Sequence, residues 1–151
     1  MNIVSMKSAD NNAIHLFSLH DDYMMDFLGD DKCFYTRYSE KENLENIWII
    51  YSDDLPIGCI AYRKKGDGVG EVKRLYIVNE YRGKGISKEL LKTVERYAEE
   101  QGCNTLFLDT RITLEPAVSI YRSFGFNIVF QQGLYIQMEK NIVASSNMSH
   151  I

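Results

Sequence analysis

The chain has 151 residues, 45% of them hydrophobic, and its 17 basic and 21 acidic side chains give a formal charge of −4. This length and apolar share suit one domain with its own core, and no basic excess exists to gather nucleic acid or an anionic membrane. Acidity is concentrated at the start: residues 1 to 50 carry nine acids and four bases, net −5, whereas the remainder is net +1.

No apolar run reaches the roughly 18 residues needed to span a bilayer, and MNIVSMKSADNN lacks the charged-then-apolar pattern of a secretion signal. The expectation is a soluble, cytoplasmic protein. Cys33, Cys59 and Cys103 are widely spaced and form no CxxC pair, which predicts reduced, core-filling thiols rather than a disulfide framework or a zinc site.

NIVSMKS reads as a short strand, after which Asp10 is placed to cap a helix whose apolar residues are Ile14, Leu16, Phe17 and Leu19. A second helical stretch is expected over Tyr23 to Leu28. DDKCFYTRYSEKENLEN is polar with scattered aromatics and reads as loop with a short helix. IWIIY and IGCIAYR, separated by the turn formers of SDDLP, make a hairpin. A glycine-rich turn, KKGDGVG, leads into EVKRLYIV, so three antiparallel strands run in succession. Period-two alternation puts Glu71 on one face with Lys73, Leu75 and Ile77.

The next helix places Ile86, Leu90, Leu91, Val94, Tyr97 and Ala98 on one stripe, with Gly102 at its end. NTLFLDT returns as a strand, and this strand, helix, strand order predicts a parallel crossover and hence a mixed sheet. Pro116 opens a short helix carrying Ala117, Ile120, Tyr121 and Phe124, Gly125 stops it, and FNIVF with LYIQMEK completes a last strand pair. Residues 1–142 then form a single domain and 143–151 a polar tail.

The stretch YRGKGIS, residues 81 to 87, lies where the third of these strands meets the helix. Backbone N–H groups at a helix start have no internal partners and carry the positive end of the helix dipole. Gly83 and Gly85 let the chain turn tightly against a bulky phosphate, and Arg82, Lys84 and Ser87 add donors. The third glycine of a dinucleotide fingerprint is missing, since position 88 is lysine, and so is the Gly-Lys-Ser/Thr of a P-loop. What remains is a pyrophosphate turn after an antiparallel meander.

EVKRLYIVNEYRGKGISKELL, then LFLDT, then AVSIYRSFGF, over roughly residues 46 to 140, resembles the GNAT acyltransferase superfamily, whose Q/R-x-x-G-x-G/A signature binds the pyrophosphate of acetyl-CoA. Glu80 and Leu114 depart from it, standing where the signature has Gln or Arg and where many members have Asn. The resemblance implies an α/β (α+β) single-domain GNAT-like fold with a mixed, mostly antiparallel central sheet of six to seven strands flanked by helices. It implies that backbone groups of Leu75, Tyr76 and Ile77 pair with the pantetheine of acetyl-CoA. It further implies that amides of Arg82, Gly83, Lys84, Gly85, Ile86 and Ser87 take the pyrophosphate, with no metal. Glu71 matches a position often held by a catalytic Glu, and attack by an amine needs a proton acceptor. Tyr121 matches the tyrosine that many members use as general acid toward the departing thiolate.

The implied activity is N-acetylation of a small primary amine by direct transfer in a ternary complex, by a monomer or homodimer. The alternatives are a non-catalytic acyl-CoA-binding module and a protein N-terminal or lysine acetyltransferase. The acceptor side is expected from residues 10 to 45, where Asp21, Asp22, Asp26, Asp30, Asp31, Glu40, Glu42 and Glu45 could attract a cationic amine. Tyr23, Met24, Met25, Phe34, Tyr35 and Tyr38 are candidates to line it.

Overall fold

The computed structural model describes residues 1–143, apart from the side chains of Cys33 and Phe34; the expected tail beyond residue 143 lies outside the described residues. A seven-stranded sheet has the spatial order β1-β2-β3-β4-β5-β7-β6, its strands being β1 (Asn2–Met6), β2 (Asn46–Ser52), β3 (Leu55–Gly66), β4 (Val69–Ile77), β5 (Thr105–Arg111), β6 (Asn127–Gln132) and β7 (Tyr135–Asn141). Every pairing is antiparallel except β4 with β5. That exception follows from the crossover through α2 (Ile86–Glu100), because a strand reached by a helix re-enters the sheet parallel.

Two cores flank the sheet. On one face Leu90, Leu91, Val94 and Ala98 of α2 pack on Ile60, Tyr62, Leu106 and Leu108, joined by Val118 of α3 (Glu115–Phe124). On the other, Ala13, Leu16 and Phe17 of α1 (Asn11–Leu28) cover Ile47, Ile49, Cys59 and Ala61. Cys59 and Cys103 are free and buried, as core-filling thiols would be.

The first helix differs from its sequence reading. It is one continuous helix through Leu28, capped by the Asp10 carboxylate on the Ala13 amide at 2.9 Å. Its buried side is Ala13, Leu16, Phe17 and Asp21, with Ile14 turned to solvent at 48% exposure. The apolar period was hidden because an aspartate occupies a core position eight residues after Ala13. Two 3-10 turns, Gly29–Phe34 and Glu40–Glu42, occupy the polar segment that follows. In α3 the fully packed residue is Val118, outside the expected stripe.

The predicted common face for Glu71, Lys73, Leu75 and Ile77 is also corrected. Cys59 pairs with Tyr76 and Ala61 with Lys73, so Arg74 and Leu75 together oppose Ile60. Arg74 takes the left-handed conformation, φ 60°, which is costly for a non-glycine residue and marks a β-bulge. Beyond it the alternation inverts. Glu71 and Lys73 face α1 along with Arg74 and Tyr76, whereas Leu75 and Ile77 join the core under α2.

Candidate active site

β4 and β5 pair only at Val69 with Thr105, Gly70 with Leu106 and Glu71 with Phe107. Beyond that the two strands no longer pair with each other, β4 running on to Ile77 beside β3 and β5 to Arg111 beside β7, so the sheet opens into a wedge. A cavity of about 820 Å³ fills that wedge and passes through the sheet, touching α1 on one side and α2 with α3 on the other. One edge of β4 therefore presents backbone groups to the cavity, as a strand does that awaits another.

On the α2 side the cavity ends at the glycine turn. Gly83 and Gly85 both adopt positive φ, 77° and 79°, and nothing lies within 4 Å of where a Cβ would stand. Among the described residues no side chain caps α2, in contrast to α1, so its first amides have no side-chain acceptor. Leu75, Tyr76, Ile77, Gly83, Ile86 and Ser87 line the cavity, as do Gly85 and Arg82; Lys84 does not, its ammonium lying over the Tyr81 ring at 5.1 Å. The Arg82 Nε donates to the Ile77 carbonyl at 2.9 Å, and its guanidinium sits over Tyr23 and Tyr76. Of the two departures from the signature, Leu114 lines the cavity and Glu80 is exposed outside it.

Tyr121 reaches the cavity from α3, its ring edge-on to Phe126 at 5.9 Å. Burial pushes its hydroxyl up to about 12, with a smaller push from the nearby Asp109 carboxylate, so it is a neutral O–H donor at neutral pH. Glu71 is placed differently from its expected role. Its side chain is 6% exposed, its Oε1 accepts from Arg63 Nε at 2.9 Å, and it is not among the residues lining the cavity.

The α1 side is organised by Arg74, whose side chain is 3% exposed. Its Nη1 donates to Asp21 Oδ1 at 2.5 Å, and its Nε and Nη2 form a two-point fork on the Glu42 carboxylate, each at 2.9 Å. Burial alone would raise the Asp21 carboxyl, but hydrogen bonds from the Tyr35 hydroxyl, Arg74 and the Tyr38 amide outweigh it and hold the pKa below the usual range. His20 Nδ1 lies 3.4 Å from Arg74 Nη1. A guanidinium only donates, so Nδ1 accepts and the ring hydrogen sits on Nε2. Burial and then the Arg74 charge lower the His20 pKa to about 4.

The acidic wall does not face the cavity as expected. Of its eight carboxylates Glu42 is the one that lines the cavity, and Arg74 holds it. Asp21, Asp22 and Asp31 are ion-paired to Arg74, Arg37 and Arg111, and Glu45 accepts from the Tyr97 hydroxyl. Tyr23, Met24 and Tyr35 do line the α1 side; Met25 and Tyr38 do not.

Sequence reasoning missed His20, Asp109 and Arg111, all of which line the cavity. The signal for the last two was present: residues 107, 109 and 111 share one face of β5, so the polar end of LFLDTR points where the strands part.

Residues 14–126 match the model of the acetyltransferase (GNAT) family. The chain belongs to that family. It is 44% identical over 71 residues to an uncharacterised N-acetyltransferase of Schizosaccharomyces pombe, a match covering 46% of this chain and 44% of that protein, so less than half of that relative is spanned. Among solved structures, a Klebsiella pneumoniae protein assigned as an acyl-CoA N-acyltransferase is 26% identical, with a TM-score of 0.76 over 93% of this chain and 97% of the other. The PaiA N-acetyltransferase of Thermoplasma acidophilum, solved with coenzyme A, shares the fold at 20% identity and a TM-score of 0.68, over 93% and 99% of the two chains.

Proposed function

We propose that this chain is an acetyl-CoA-dependent N-acetyltransferase that moves an acetyl group directly to a primary amine in a ternary complex. The observation that carries this reading is the cavity through the sheet, which has an uncapped helix start at one end and a neutral tyrosine hydroxyl within it. In this reading the coenzyme enters from the α2 side. The amides from Arg82 to Ser87 hold its pyrophosphate, and the open edge of β4 at Leu75, Tyr76 and Ile77 takes the pantetheine as an added strand. The glycines leave room for that approach, and an N-acetyltransferase of the same fold was solved with coenzyme A. The thiols and the coenzyme's supply fit a cytoplasmic reaction.

The acceptor enters from the α1 side. Its nitrogen attacks the thioester carbonyl, a C–N bond forms, the C–S bond breaks, one proton leaves the amine and the CoA thiolate departs. Asp109 is the cavity carboxylate free of any ion pair among the described residues, and it takes that proton in this scheme. Tyr121 faces the thiolate. A thiol titrates near 8.5, well below the Tyr121 value of about 12, so the hydroxyl stabilises the leaving sulfur by donating a hydrogen bond rather than by giving up its proton. Glu71 becomes a positioning residue: it fixes Arg63, whose Nη1 holds the Glu42 carbonyl at 2.8 Å and so anchors the acceptor wall.

The test is calorimetry with acetyl-CoA together with an amine screen that reads free CoA. Binding with turnover supports the reading; binding without turnover on any amine leaves only a coenzyme-binding module, and no binding removes both. Tyr121→Phe should lower kcat by about 10- to 100-fold with little change in acetyl-CoA affinity. An unchanged kcat would remove its role.

A further inference from the structure

The α1 side of the cavity offers donors in search of an acceptor. Arg111 lines it from the end of β5, and its buried Nε has no hydrogen-bond partner among the described residues. A buried guanidinium N–H left unmatched is costly, and such an orphan calls for an explanation, which a bound acceptor group supplies. Among the described residues the one ion pair of Arg111 runs from Nη2 to Asp31 at 3.2 Å, and it leaves Nε without an acceptor. Lys73 lines the same side, one same-face step past the last β4–β5 pair, and forms no ion pair among the described residues. His20 is neutral and presents Nε2–H. Glu42 is fully engaged, both its oxygens facing Arg74, whereas Asp109 accepts at Oδ2 from the Tyr135 hydroxyl at 3.0 Å and, among the described residues, keeps Oδ1 open for a ligand.

We propose that the acceptor is an α-amino acid, whose carboxylate is bound by the Arg111 Nε edge with Lys73 while its amino group sits at Asp109. This rests on the acetyltransferase reading above and adds the chemical class of its second substrate. The geometry suits a zwitterion, whose ammonium gives one proton to solvent before its nitrogen attacks and the second to Asp109 as the C–N bond forms. Asp109 and Arg111 project from the same face of β5 two residues apart, about 7 Å along the strand, and the two side chains can close on the adjacent ammonium and carboxylate of one molecule. An amine without the carboxylate would leave the Arg111 Nε unmatched, and a site built to hydrogen-bond a substrate group rejects the analogue that lacks it. Tyr23, Met24 and Tyr35 around the same space favour an apolar or aromatic side chain on that amino acid.

The experiment measures kcat/KM for the proteinogenic L-amino acids and for their carboxamides at saturating acetyl-CoA, with acetyl-CoA affinity followed separately by calorimetry. At least one amino acid should exceed its carboxamide by about tenfold or more. Arg111→Gln should erase that gap through KM while leaving acetyl-CoA affinity unchanged, and Arg111→Lys, which keeps the charge but not the fork, should restore only part of it. Retained acetyl-CoA affinity also reports that each variant is folded, and Lys73→Gln, at a partly buried position, should narrow the gap independently. Carboxamides that equal or outdo their acids, a gap that survives Arg111→Gln, or no amino acid acetylated while acetyl-CoA still binds would each overturn the carboxylate assignment and leave the coenzyme reading standing. Absence of acetyl-CoA binding would overturn the coenzyme reading itself.

Discussion

Two acidic residues near the wedge have different access to a substrate, and access decides what each can do. Glu71 is buried, bonded to Arg63 and absent from the cavity's lining, whereas Asp109 stands in its wall. Asp109→Asn should therefore lower kcat/KM by roughly 100-fold and flatten its acid limb, as removal of a general base does. Glu71→Gln should act on acceptor KM and stability and leave the acid limb in place. Measured pH profiles for the two variants check this, and the opposite pattern would return the base role to Glu71. His20 gives a separate pH signature. Its pKa is lowered in the folded protein to about 4 from 6.5, so the unfolded chain takes up the proton first and stability falls as pH drops through that interval. The groups that face it act in both directions, Arg74 and Lys73 lowering the pKa and Asp21 raising it. Asp21, whose own pKa is depressed, loses its contribution only below its unfolded value of 3.8. Between pH 6.5 and 4 the Tm should fall by a few degrees, and His20→Gln should remove most of that slope.

At the scale of elements, the bulge in β4 does most to shape the site. By turning Arg74 toward α1 it brings together residues 53 and 32 positions apart in sequence, Asp21 and Glu42, and thereby fastens α1 and the Glu40–Glu42 turn to the sheet. Asp21→Asn leaves the buried guanidinium with one carboxylate instead of two and should cost about 3 kcal/mol in denaturant unfolding; a loss under about 1 kcal/mol would mean that Glu42 alone suffices. This is also where legibility in the sequence ended. The β4–turn–α2 unit could be read because glycines and a helical apolar stripe are local signals, and seven strands with a parallel crossover follow from their order. A positive φ at an arginine has no such local mark, so strict alternation put Leu75 and Ile77 on the wrong face. The ion pairs that take up Asp21, Asp22, Asp31 and Glu42 of the acidic wall are long-range, and a charge count along the chain cannot see them. Asp109 and Arg111 were legible in principle, since period two places them together once β5 is known to border the opening.

Taken whole, the molecule is two sheet halves joined at a short seam. Strands β1 to β4 form one half and β5, β7 and β6 the other, and three residue pairs of a parallel ladder join them before the strands part. Further ties lie on both faces: α2 packs on β3 and β4 and also meets α3, and on the other face Arg111 of β5 pairs with Asp31 in the turn after α1. A coenzyme in the wedge would supply what the seam lacks, pairing with the free edge of β4 while touching β5 and α3 on the other side. Binding that exists only in the folded state stabilises it by mass action, about 2.7 kcal/mol at a concentration 100 times Kd. For a chain of this length that corresponds to a Tm rise of roughly 5 to 10 °C. Protection should be local as well as global: amide exchange should slow at residues 74–77, at the turn 82–87 and at 109–112, and change little at β1 and β2. Stabilisation without slowed exchange at 74–77 would place the coenzyme on the glycine turn alone, with the seam left open.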